Sequence, residues 1–205
     1  MNRAMIDPPE KPIRSLCVYC GSSPGNDPQF RRSAVALGKS LAGAGIRLVY
    51  GGGDNGLMGA IAKSVLARGG AVLGIIPQFL QAAEQGQQAQ NLVGIEMRVV
   101  PDMHTRKRIM FEESDAFLAM PGGIGTLEEL VEVLTWAQLG RHEKPIGLLN
   151  INDFWSPYVE LVQHMADAGF LHNSKKAIPL VFEQPQDVVE SLNRLWNPIR
   201  TDAAC

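Results

Sequence analysis

A chain of 205 residues is long enough for one ordinary domain and short for two, and its 45% apolar share fills a single sizeable core. Its 19 Lys and Arg stand against 21 Asp and Glu, a formal charge of -2, which excludes the basic excess that nucleic-acid or anionic-membrane binding needs; any anion site must be local. The opening MNRAMIDPPEKPIRS carries no apolar segment of signal-peptide length and no later run nears the ~18 apolar residues of a membrane span, so a cytoplasmic protein without membrane partners is expected.

In chain order, strand-length apolar runs fall at SLCVYC (15–20), IRLVY (46–50), AVLGII (71–76), MRVV (97–100), AFLAM (116–120) and PIGLLN (145–150), with PLVF (179–182) as a seventh. Helices are expected between them at 28–43, 57–68, 103–113, 126–139 and 155–168, and a last one at 185–195. Strands alternating with helices predict an α/β fold: a single Rossmann-like domain with a doubly wound, mostly parallel sheet of six or seven strands and helices on both faces. The core is expected over about 13–196, with both termini frayed. The glutamine-rich stretch QFLQAAEQGQQAQNLVGIE (78–96) lacks a strand pattern and reads as a lid or partner-contact loop. Cys17 and Cys20 spell C-x-x-C, but in a strand side chains three apart point to opposite faces, so a buried strand is expected rather than a redox pair.

Ligands of such sheets bind where strands end, and three loops there are rich in glycine. YCGSSPG follows the first strand and brings Ser22, either as an ordinary turn or as a phosphate contact. YGGGDNGLMGA follows the second; Gly51, Gly53 and Gly56 match G-x-G-x-x-G, and Gly52 lies between them. A dinucleotide reading is weakened because this loop follows the second strand and no acid stands about 20 residues on to hold a ribose.

The third, AFLAMPGGIGTLEELVEV (116–133), delivers Pro121, Gly122, Gly123 and Gly125 onto a helix start. Glycines let backbone N–H groups approach closely, and the free amides and dipole of a helix start favour an anion such as phosphate. Thr126 and Glu129 have a second reading, a capping box with Thr126 as N-cap and Glu129 reaching back. Leu127, Leu130, Val131 and Leu134 are expected to face the sheet, leaving Glu128, Glu132 and Thr135 along another side. In PDMHTRKRIMF (101–111) Asp102 is the expected N-cap, Arg106 shares a face with Met103 and Met110, and Arg108 pairs with Glu112 as a solvated edge. Arg106, with Lys107 beside it, reads as a ligand contact or as a snorkelling side chain. His104, His142, His164 and His172 show no metal-ligand spacing, and no metal or cofactor is expected.

Taken in order, YCGSSPG, YGGGDNGLMG, MHTRK and PGGIGTLEE resemble the Lonely Guy (LOG) family of cytokinin-activating phosphoribohydrolases from about Ser15 to Phe170. Its signature, P-G-G-x-G-T-x-x-E, is met in full by Pro121 to Glu129. The resemblance implies hydrolysis of adenine-type nucleoside 5′-monophosphates, AMP or its N6-prenylated relatives, to free base and ribose 5-phosphate. It also implies a homodimer whose shared surface includes Trp136. It maps phosphate and ribose binding onto Gly122, Gly123, Gly125 and Thr126, catalysis onto Glu129 with Glu128 adjacent and onto Arg106, and nucleotide contacts onto Lys107 and Glu84. Ser22, Gly52, Gly53 and Thr135 complete the candidate substrate contacts. The alternatives are a non-catalytic carrier of the same fold, as among molybdenum-cofactor binders, and a nicotinamide-dependent oxidoreductase. Related proteins have also been labelled lysine decarboxylases, a label that no pyridoxal-phosphate lysine in this sequence supports.

Overall fold

The computed structural model describes residues 12–85, 94–171 and 178–195. Its strands are β1 (Ser15–Tyr19), β2 (Arg47–Tyr50), β3 (Val72–Pro77), β4 (Ile95–Val100), β5 (Ala116–Ala119), β6 (Ile146–Leu149) and β7 (Leu180–Phe182). The helices are α1 (Pro28–Gly43), α2 (Gly56–Leu66), α3 (Gln78–Gln85), α4 (Met103–Glu112), α5 (Ile124–Gln138), α6 (Ser156–Asp167) and α7 (Pro185–Leu195). All strand pairs are parallel, in the order β4-β3-β2-β1-β5-β6-β7. The chain winds outward from β1 to β4, then returns to lay β5 on the other side of β1, so the switch point lies between β1 and β5.

Every residue of β1 is buried because helices cover both faces. Leu16 and Val18 join the core under α1, α2 and α7, with Leu37, Ile61 and Val188. Cys17 and Tyr19 join the core under α4, α5 and α6, with Met110, Leu130 and Trp155. Cys17 and Cys20 accordingly belong to opposite cores, both free and buried.

Two expectations change. Where a loop was expected, α3 occupies Gln78–Gln85, leaving β3 without a linker; QFLQAAEQ is made of good helix formers, and the lack of strand alternation did not distinguish helix from loop. The rest of that stretch to residue 93, and the terminal segments 1–11 and 196–205 expected to fray, lie outside the described residues. Helix α5 starts at Ile124, two residues early, and buries Leu130, Val133, Leu134 and Ala137, while Val131 is exposed.

Candidate active site

The three glycine loops meet at the switch point. Gly21 donates its amide to the Pro121 carbonyl at 3.1 Å, and its own carbonyl accepts from the Leu57 amide at 3.0 Å. The loop after β1 is thereby held against the loop after β5 and the start of α2. Gly122 has no room for a side chain: a Cβ there would overlap the Thr126 hydroxyl and stand 2.9 Å from the Gly21 nitrogen. Thr126, 5% exposed, is thus packed under the signature loop.

The two glycine-led helix starts differ in what they leave open. Leu57 and Met58, in the first turn of α2, spend their amides on the Gly21 carbonyl, so the G-x-G-x-x-G match forms a loop–helix junction. At α5 a Cβ on Gly123 or Gly125 would meet nothing within 4 Å, and first-turn amides have no carbonyl one turn behind them. That start is open to an anion. The N-cap is Gly123, with no side-chain capping bond, which overturns the capping-box reading of Thr126 and Glu129. With the helix beginning at Ile124, Thr126 is already inside the first turn.

Glu129 instead faces Arg106. The guanidinium Nη2 lies 3.8 Å from Glu129 Oε1, with side-chain exposures of 7% and 12%. Nη2 also donates to the Gly51 carbonyl at 3.3 Å, and Nη1 points at Met103 Sδ at 3.8 Å. The Nε has no hydrogen-bond partner among the described residues. Gly51 makes this approach possible, because a Cβ there would overlap Nη2 outright. Charges so little exposed interact strongly, since water screens them poorly. Beneath the pair lies the apolar floor of β1. Burial first, and the nearby Glu129 carboxylate next, push the Cys17 thiol far above its ordinary pKa; burial does the same to Tyr19, helped by Cys17 and Glu129.

Lys107, one residue on from Arg106, donates to Glu128 Oε1 at 2.6 Å and lies 3.1 Å from Glu132 Oε1. Asp102 caps α4 by accepting from the Thr105 amide at 2.7 Å, and Arg108 pairs with Glu112 on the solvated edge. The sheet edge thus gathers Arg106, Lys107, Glu128, Glu129, Thr126, Gly122, Gly123 and Gly125, with the Gly52–Gly53 turn and exposed Ser22 on the neighbouring loops. Thr135 stands apart, about 13 Å along the α5 axis from Thr126 by helical rise, exposed and donating to the Val131 carbonyl. Glu84 falls in α3, and its side chain lies outside the described residues, as does His172. His142 is buried in the core, with Nε2 2.9 Å from the Val133 carbonyl and Nδ1 accepting from the Lys144 amide.

Sequence reasoning missed two participants. Gly51 was passed over for its neighbours, because a run of three glycines does not say which one another helix will touch. Glu132 was placed along the other side of the helix and given no role, although its i, i+4 spacing from Glu128 was the available signal.

An open parallel sheet wound outward from a switch point between β1 and β5, with helices on both faces, defines a Rossmann-like α/β protein. Residues 58–192 match the family model described as "Possible lysine decarboxylase". The probable cytokinin riboside 5′-monophosphate phosphoribohydrolase LOGL1 of Oryza sativa subsp. japonica is 47% identical over 168 residues, 82% of this chain and 74% of that protein. The cytokinin riboside 5′-monophosphate phosphoribohydrolase LOG1 of Arabidopsis thaliana is 42% identical over 183 residues, 89% of this chain and 84% of that protein. The solved molybdenum cofactor carrier protein of Chlamydomonas reinhardtii has a TM-score of 0.64 at 20% identity, covering 90% of this chain and 98% of that one; this is a likeness of fold alone. The chain belongs to the LOG family, whose curated members are named cytokinin riboside 5′-monophosphate phosphoribohydrolases.

Proposed function

We propose that this protein hydrolyses the N-glycosidic bond of adenine-type nucleoside 5′-monophosphates, AMP and N6-prenylated AMP among them, to free base and ribose 5-phosphate. The observation that carries the reading is the buried Arg106–Glu129 pair beside the open start of α5. The phosphate sits on the first-turn amides around Gly123 and Gly125, and this remote contact orients the ribose. Cleavage breaks the bond from C1′ to the base nitrogen, whose electron pair leaves with the base, and C1′ passes through an oxocarbenium-like state. Glu129 stabilises that charge and accepts a proton from the attacking water, whose oxygen bonds to C1′. The base takes up a proton on a ring nitrogen, so no second carboxylic acid is needed, and Arg106 holds the bound nucleotide.

Homodimerisation goes with this reading. Val131 on α5, Leu139 just past its end, and Leu161 and Met165 on α6 are exposed apolar side chains of the helices on one sheet face, as a shared surface requires. Trp136 is half-buried, edge-on to Phe111 at 5.0 Å between ring centroids, and contributes less of that surface than its outward neighbours. None of the helices among the described residues is long and apolar enough to cross a membrane. A phosphorylated substrate that does not cross bilayers unaided supports a cytoplasmic location.

Incubation with AMP and with isopentenyladenosine monophosphate, following free base and ribose 5-phosphate, tests the activity. Base release from both monophosphates and not from adenosine is expected. Binding without turnover would favour a carrier, and adenosine turnover as efficient as that of AMP would remove the role given to the phosphate. Light scattering at micromolar concentration tests the dimer.

A further inference from the structure

The glycine loops lie where the strands end; a second concavity lies where β6 and β7 begin, at the opposite edge of the sheet. A cleft of about 230 Å³ is lined there by Leu134 and Ala137 of α5, by Ile146 and Leu180, the first residues of β6 and β7, and by His142 and Lys144 of the loop before β6. Ile178 and Leu195 also line it and are each about half exposed, so apolar surface extends to the mouth. His142 gives this wall a fixed shape, with one ring nitrogen on the Val133 carbonyl and the other on the Lys144 amide.

Lys144 supplies a charge. Its ammonium donates to the Phe111 carbonyl at 2.8 Å and lies 4.1 Å from the centre of the Phe111 ring, but it makes no ion pair among the described residues. The carboxylates it senses are engaged elsewhere: Asp115 accepts from the Arg14 and Ser15 amides, and Glu112 pairs with Arg108. Burial pulls the ammonium below the ordinary lysine pKa, against the opposing influence of Asp115, Cys17 and Glu112. A cation so placed has given up hydration without gaining a counter-ion, and an ammonium has three N–H donors of which the Phe111 carbonyl takes one.

Size and charge set what the cleft can take. An apolar cavity of about 150 Å³ holds a benzene ring, so this one accommodates a ring, or a branched chain of similar bulk, with a short acidic tail. A phosphate dianion suits it less, because a single ammonium leaves half the charge uncompensated and Glu143 also lines the cleft.

We infer that this cleft is a second small-molecule site, which takes a small apolar monocarboxylate: the hydrocarbon body lies among Leu134, Ala137, Ile146 and Leu180, and the carboxylate meets the Lys144 ammonium. The site is independent of the hydrolase reading, since it lies at the other edge of the sheet and uses none of the glycine loops.

Phenylacetate is the probe, and phenylacetamide is its neutral counterpart of the same shape. Titrated into the full chain, phenylacetate should bind with a Kd of about 1 mM or tighter. It should shift the methyl NMR signals of Ile146, Ile178, Leu180 and Leu195, and remain bound at saturating ribose 5-phosphate. The amide should bind about tenfold more weakly, the scale of a hydrogen bond to a charged group, and Lys144→Met should bind the acid no better than the parent binds the amide. The comparison of acid with amide needs no variant, so it decides the matter even if Lys144→Met fails to fold. Equal affinity for acid and amide overturns the proposal, as do displacement by ribose 5-phosphate or methyl shifts confined to other residues. No binding up to about 10 mM overturns it too. Nuclear Overhauser contacts from Trp196 to the same methyls would then give the cleft to the chain's own C-terminal residues, and binding that appears only on dilution would give it to a second copy.

Discussion

The α1–α2 crossing and helix α4, on opposite faces of a sheet with an apolar core on each side, are held by different balances of packing and charge. On one, α1 and α2 cross so closely that a Cβ on Gly38 would stand 2.8 Å from the Ser64 Cβ; Leu37, Leu41, Ile61 and Val65 are fully buried there, and the Ser64 hydroxyl donates to the Val35 carbonyl at 2.7 Å. On the other, α4 joins the apolar core through Ile109, Met110 and Phe111 and is tied by ion pairs as well. Lys107 is clamped by Glu128 and Glu132, and Glu113, at the helix end, accepts from both Arg47 and Arg98 at 2.6 Å. Close apolar packing yields a scaffold that tolerates few shape changes. Ion pairs in partial contact with solvent contribute less stability, and those of Lys107 lie beside the buried Arg106–Glu129 pair.

The sharpest way to break this contrast is Glu129→Gln. With the capping role excluded, it should lower kcat about 10²-fold or more, the scale of a general base, with little change in thermal midpoint. A lowered midpoint with near-normal turnover would return Glu129 to the scaffold. Next in size is Gly51→Ala, whose new methyl must push the Arg106 guanidinium aside. It should cost up to about 10²-fold in kcat/KM, and steady-state kinetics beside circular dichroism would distinguish misplacement from misfolding.

The opposite face should answer in stability. Gly38→Val overpacks the α1–α2 crossing and should destabilise by about 1–3 kcal/mol while leaving kcat near the parent value at low temperature, as chemical denaturation and kinetics on one sample would show. A smaller, pH-dependent effect is expected at the end of α4. The hydrogen bonds from Arg98 and then Arg47 hold the Glu113 carboxyl below its ordinary pKa. Its contribution is therefore present above the unfolded glutamate value of about 4.3 and is lost as pH falls through the lower folded value. Thermal midpoints of the parent and Glu113→Gln should differ at pH 7 and converge in acid. Smallest of all, Arg108→Ala removes an exposed i, i+4 pair and should change stability by less than about 0.5 kcal/mol, leaving turnover intact.

Much of the fold was legible because its signals are local. Parallel strands buried on both faces read as unbroken apolar runs, and α1, bounded by Pro28 and Gly43, was expected over the same residues it occupies. Asp102 was recognisable as a cap because capping acts within three residues. Helix α3 was not legible, since its glutamines and alanines suit a helix or a loop and no apolar stripe chose between them. Nor was the α5 start, where Gly123 caps without a side chain and a threonine three residues on imitated a cap.

By itself, the sequence determined the alternating α/β order, the position of the signature loop at a strand end, and the set of polar residues on α4 and α5, because each depends on periodicity, turn chemistry or spacing within a few residues. Only the tertiary structure decided which of these residues meet. It spent the α2 amides on Gly21 and left the α5 start open; it laid the Arg106 guanidinium on Gly51, 55 residues away in the chain, and against Glu129; it gave Lys107 to Glu128 and Glu132. Those pairings follow from the strand order, which brings β5 beside β1 and sets α4 against α5. No local propensity encodes which strand becomes a neighbour, so partners remote in sequence are chosen only when the sheet assembles.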